Sequence, residues 1–63
     1  MDIEEFMKHL KVGEYVRFDV SGRVYEGVVT EIGRNGFVID DGEDEIFFSK
    51  FFSKRLGLEY EFV

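Results

Sequence analysis

Ile3, Phe6, Met7 and Leu10 fall at i, i+3, i+4 and i+7, the spacing of one helical face. The pattern predicts a helix over 2–10. Asp2 stands as N-cap with Glu5 in the capping-box position; the early carboxylates suit the positive helix end, and Lys8 and His9 the other. After Gly13 the period changes to two. Val16, Phe18 and Val20 alternate with Tyr15, Arg17 and Asp19, predicting a strand over 14–20. Ser21-Gly22 is a hairpin signal. A longer strand is predicted over 23–32. Val28 and Ile32 share a face in it, Val24 and Tyr25 compete for the core, and Gly27 marks a bulge or bend. Gly33 to Gly36 form a turn, followed by a short strand over 37–40 with Phe37 and Ile39 on one face. An acidic turn leads into a fourth strand over 45–48. Ser49 can cap one or two helical turns over 49–56, ended by Gly57. Leu58, Tyr60 and Phe62 then alternate inward in a last strand over 58–63.

Connections this short imply antiparallel neighbours. The expected fold is one mainly-β domain over 1–63. It is a small five-stranded antiparallel barrel with a short N-terminal helix and a helical turn before the last strand. Composition agrees: eight Phe and three Tyr stand beside no Ala or Pro, a strand-forming vocabulary. Barrel closure would protect the edges of such apolar strands.

The net charge is −6, from 14 acidic and 8 basic residues. Nucleic-acid binders draw much of their affinity from a basic excess, so the charge disfavours that class. The chain has no Cys, which removes disulfide and thiolate chemistry. No apolar run has the length of a membrane span, and the acidic N-terminus has the wrong sign for a secretory signal. The expectation is a soluble, cytoplasmic protein with no membrane partner.

The stretch Val12-Gly13-Glu14-Tyr15-Val16-Arg17-Phe18, followed by Gly22 to Ile32 with its Gly27-Val28-Val29 step, resembles Src-homology-3-like barrels of the KOW and Tudor type. There too a short helical turn precedes the last strand. Ile3 to Leu10, Gly22 to Gly27 and Phe37 to Asp40 are also similar to the first motif of Sm-like and Hfq-like RNA-binding proteins. The second Sm motif is replaced here by Leu56-Gly57-Leu58-Glu59. The resemblance therefore implies a barrel and carries no functional residue.

Catalysis finds no support. His9 is the lone His and sits where helix-end residues are solvated, and no triad can be assembled. No cofactor and no metal site are expected. Asp40, Asp41, Glu43, Asp44 and Glu45 place five carboxylates in six residues but do not follow the EF-hand spacing; they form a candidate acidic contact loop. Lys50, Lys54 and Arg55 are the local basic group, and beside Phe residues they resemble a single-strand nucleic-acid surface. The aromatic surplus is more informative. Phe47, Phe48, Phe51 and Phe52 crowd six positions, and strand alternation puts Phe47 and Phe48 on opposite faces. Tyr15, Tyr25, Phe47, Phe51 and Phe52 are candidate partner-binding residues. The expected role is a non-enzymatic module that binds a protein, or a second copy of itself, through aromatic and acidic surfaces. The alternatives are an RNA-binding module using Lys50, Lys54 and Arg55, and an acidic mimic of nucleic acid.

Overall fold

The computed structural model describes residues 2–20 and 22–51 in full and the backbone of 60–62. It is mainly β, with a short helix, α1 (Ile3–Met7), and four antiparallel strands: β1 (Tyr15–Val20), β2 (Arg23–Ile32), β3 (Gly36–Asp40) and β4 (Glu45–Ser49). The strands form a meander in chain order. A terminal segment, β5 (Tyr60–Phe62), lies antiparallel to the free side of β1, with Phe18 opposite Phe62 and Val20 opposite Tyr60. The sheet order is β4-β3-β2-β1-β5, and among the described residues the sheet stays open between β4 and β5.

The Asp2 carboxylate accepts the Glu5 backbone N–H at 2.8 Å, as an N-cap should. The helix is shorter than its apolar spacing suggested. From Lys8 onward the chain tightens into i→i−3 bonds, Lys8 to Glu5, His9 to Phe6 and Leu10 to Met7, a common way to end a helix. The tightened tail still keeps Leu10 buried beside Ile3 and Phe6. Lys8 and His9 consequently lie past the helix rather than in its last turn.

β1 follows its alternation: Val16 and Phe18 are buried, Val20 is half-buried, and Tyr15 and Arg17 are exposed. Gly22 closes the β1–β2 hairpin at φ 92°, a conformation that favours glycine. Its N–H donates to the Asp19 carboxylate at 2.7 Å.

β2 corrects the expected register. Tyr25, Gly27 and Val29 point inward, and Val24 and Val28 point outward. The irregularity is not at Gly27 but between Val29 and Glu31, where Thr30 has no partner of its own in the pairing with β3. The extra residue restores Ile32 to the inner face, opposite Phe37. Val28 and Ile32 therefore do not share a face. Gly27 has another reason to be glycine: a Cβ there would run into the backbone carbonyl of Asp40, so the close approach of β2 to the end of β3 requires its absence.

β3 begins one residue earlier than expected and β4 ends one later, with Gly36 opposite Ser49. Lys50 and Phe51 then turn helical, and the Ser49 hydroxyl accepts the Phe51 N–H at 3.2 Å. The remainder of the expected 49–56 turn, and residues 58 and 59 of the last strand, lie outside the described residues.

The core is largely aromatic. Phe6, Phe18 and Phe37 are fully buried and Phe48 nearly so, with Ile3, Leu10, Val16, Val29 and Ile39 around them. Phe6 reaches down from α1 onto Phe18 (ring centroids 5.1 Å apart) and Phe37 (5.7 Å). Phe48 meets Phe18 edge-on at 5.0 Å and stacks with Phe37 at 5.2 Å. Phe18 touches the most of this cluster. Replacing Phe18 with Ala is expected to cost about 3–5 kcal/mol, most of the stability a domain this small can hold. Urea unfolding followed by circular dichroism should show a chain largely unfolded without denaturant.

Candidate interaction surface

Strand alternation divides the aromatic candidates between two environments. On β4, Phe48 is buried while its neighbour Phe47 is 59% exposed. Phe51 follows at 57% and Tyr15, on β1, at 61%. Tyr25 belongs to the other group. It faces inward, half-buried, with its ring 5.0 Å from Phe48 and 5.9 Å from Phe18. The Arg23 guanidinium covers it at 5.2 Å. Phe52, Lys54 and Arg55 lie outside the described residues.

Phe47 forms one wall of a shallow recess of about 280 Å³ at the β2–β3 turn, with Val38 beneath it and Glu31, Arg34 and Asn35 at its rim. Val38 stands directly opposite Phe47 on the neighbouring strand. The outer sheet face continues through Val28 to Tyr15, which are cross-strand partners. Carboxylates flank this apolar path: Asp40 opposite Glu45, and Glu26 beside Tyr15. Val24, Val28 and Val38 were not singled out from the sequence. Val24 and Val28 are outward by alternation with Tyr25 and Val29, and Val38 by alternation with Phe37 and Ile39; the bulge at Thr30 is what lets Ile32 turn inward on the same strand.

The Tyr15 hydroxyl donates to the Glu26 carboxylate at 2.7 Å, and Arg17 approaches the same oxygen at 4.0 Å. The bond to Glu26, partial desolvation and the carboxylate's charge all hold the phenol above its ordinary range, while Arg17 acts in the opposite sense.

The acidic residues are organised by their own backbone. Asp40 accepts the Gly42 N–H at 2.8 Å. Asp41 accepts the N–H groups of Glu43 and Asp44 at 2.9 and 2.8 Å. These are the side-chain-to-backbone bonds that make Asp a turn former, and Gly42 supplies the positive φ of 100°. The bonds from Asp44 and Glu43 hold the Asp41 carboxyl below the usual carboxylate range. Among the described residues no group of three or more His, Cys, Asp or Glu is placed to hold a metal ion. A second, wider recess of about 410 Å³ separates this turn from the start of β2.

Lys50 lies between Phe47 and Phe51 in the chain. Its ammonium sits 3.9 Å from Glu4 of α1 and 5.4 Å over the Phe51 ring, with the side chain only 22% exposed. It thus ties helix to sheet rather than projecting into solvent. No helix among the described residues is long and apolar enough to cross a membrane. Comparison with protein-family models, with curated proteins and with solved structures finds no match.

Two titrations check this geometry. Phenolate absorbance should show Tyr15 ionising above the ordinary tyrosine range, and Glu26→Gln should lower its pKa by removing both the charge and the strongest acceptor. Asp41 should titrate below the usual carboxylate range in a side-chain carboxyl NMR titration. Because its folded pKa is depressed, its contribution to stability is complete above the unfolded carboxylate value. That contribution is lost as pH falls through the folded one. Asp41→Ala should remove this part of the acid dependence.

Proposed function

We propose that this chain is a non-enzymatic, cytoplasmic interaction module, a small Src-homology-3-like barrel that binds a protein partner at the aromatic edge formed by Phe47 and Phe51. The barrel reading is supported by the strand order. The terminal segment β5 joins β1 on the side away from β2, so the last strand pairs with the first and β4 and β5 become the two edges that closure would bring together. The cytoplasmic reading rests on the absence of Cys.

The observation that carries the binding role is the exposure of Phe47 at the wall of a recess, with Val38 below it and Phe51 exposed close by in the chain. Aromatic side chains that are half or more in solvent and border a concavity are the usual anchors of a protein interface. The carboxylate of Glu45, outward on the same strand as Phe47, favours a basic group on the partner. A nucleic-acid role is less well supported. The net charge opposes it, and Lys50 is already engaged by Glu4.

A tagged chain incubated with a lysate of its native host should retain a protein, whether a different chain or this one. Phe47→Ser combined with Phe51→Ser should lower that retention at least about tenfold with an unchanged circular dichroism spectrum. Recovery of nuclease-sensitive RNA instead, with a low-salt shift of single-stranded RNA that Lys50→Glu abolishes, would overturn the reading in favour of nucleic acid.

A further inference from the structure

Phe47 is exposed in its backbone as well as in its side chain. β4 is the last strand of the sheet on its side. Backbone groups in an antiparallel ladder alternate between the partner strand and the free edge. The phase is fixed at both ends of β4. The Lys50 N–H donates to the Asn35 carbonyl at 2.9 Å, and Asp41 N–H donates to the Asp44 carbonyl at 3.1 Å. Residues 44, 46, 48 and 50 therefore direct their backbone groups at β3, and Glu45, Phe47 and Ser49 direct theirs away from it. Among the described residues nothing pairs with that outer row. Protected edges usually carry Pro, Lys, an edge bulge or a covering loop. β4 reads Glu-Ile-Phe-Phe-Ser, and its register against β3 has no bulge.

We propose that a second copy of this chain adds its own β4 to this edge, antiparallel and about a two-fold axis at Phe47. This deepens the reading above by naming the partner, and it rests on that reading. The register follows from symmetry and from charge. With Phe47 opposite its own copy, Glu45 meets Ser49 and Ile46 meets Phe48. The outer-row N–H and C=O groups of Glu45, Phe47 and Ser49 are then all used, because pairs centred on an edge-facing residue exchange both bonds. The two Phe47 rings become cross-strand neighbours on the outer face. Ile46, half-buried in one copy, is covered by the other. The same register brings Asp44 opposite Lys50 and leaves no like charges facing one another. Moving the two-fold axis by two residues, from Phe47 to Glu45, would set Glu45 against its own copy. An isologous pairing of this kind closes on itself and ends at a dimer.

The experiment is sedimentation velocity on the full chain, with amide exchange read by NMR across concentration. A concentration-dependent dimer is expected, with the Glu45, Phe47 and Ser49 amides becoming protected as it forms. The Ile46 and Phe48 amides should be protected at every concentration. Phe47→Pro removes an N–H that faces solvent in the monomer, so the fold tolerates it, and the dimer dissociation constant should rise at least about tenfold. Asp44→Lys and Lys50→Glu should each weaken their own homodimers about three- to tenfold. Mixing the two variants should restore association, because both facing pairs are then opposite in charge. The monomer fold of each variant is checked by its thermal midpoint, since Lys50→Glu also removes the Glu4 pair.

A chain that stays monomeric to about 1 mM overturns the proposal. So does a dimer that Phe47→Pro leaves unchanged, or edge protection that appears only when a different host protein is added. In that last case the protein-binding reading stands and only the second-copy assignment falls. A monomer that also retains no host protein removes both.

Discussion

Every element of known side-chain placement contributes one ring to a single cluster: Phe6 from α1, Phe18 from β1, Tyr25 from β2, Phe37 from β3 and Phe48 from β4. The ring centroids stand 5.0 to 5.9 Å apart where these residues touch, within the range where tilted and edge-on contacts are favourable. A chain of 63 residues has little surface to bury, and large flat side chains bury the most per residue. The fold solves its size problem by spending one aromatic per element on a shared contact. The short helix depends on it most. Five residues are too few for a stable isolated helix, and it is the seating of Phe6 between Phe18 and Phe37 that holds α1 on the sheet.

This cluster also dictates the outer surface. A strand that turns one aromatic inward must turn its neighbours outward. β4 has Phe at both positions, so anchoring Phe48 in the core places Phe47 in solvent. β2 combines inward Tyr25 and Val29 with an inward Ile32 only through the extra residue at Thr30, and alternation with Tyr25 and Val29 puts Val24 and Val28 on the outside. The exposed apolar path is thus a geometric consequence of how the core is filled. The interface proposed at Phe47 lies on the strand where that consequence is greatest.

The polar residues play two parts. Asp2, Asp19, Asp40 and Asp41 all receive backbone N–H groups at a helix start or a turn, so part of the chain's acidity is structural. Glu26, Glu31 and Glu45 lie on the outer face, where charge remains available to a partner. A net charge of −6 overstates how much of the acidity is free to recruit one.

Among the described residues the sequence by itself determined the element types, the turns and most of the inward set. Periods of 3.6 and 2 are local properties, and Asp and Gly announce turns by their own chemistry. Ile3, Phe6, Leu10, Val16, Phe18, Phe37, Ile39 and the Phe47–Phe48 split were all legible for that reason. The tertiary structure alone decided three things. It placed the bulge at Thr30, because a register shift depends on which β3 residue is in reach and not on any signal within β2. It drew Tyr25 inward and capped it with Arg23, because a half-buried ring is chosen by the space left beside Phe48. Among the described residues it left the outer backbone row of β4 open, because an edge exists only once the strand order is known. Alternation is written in neighbouring residues; register, burial and edges are set by residues far apart in the chain.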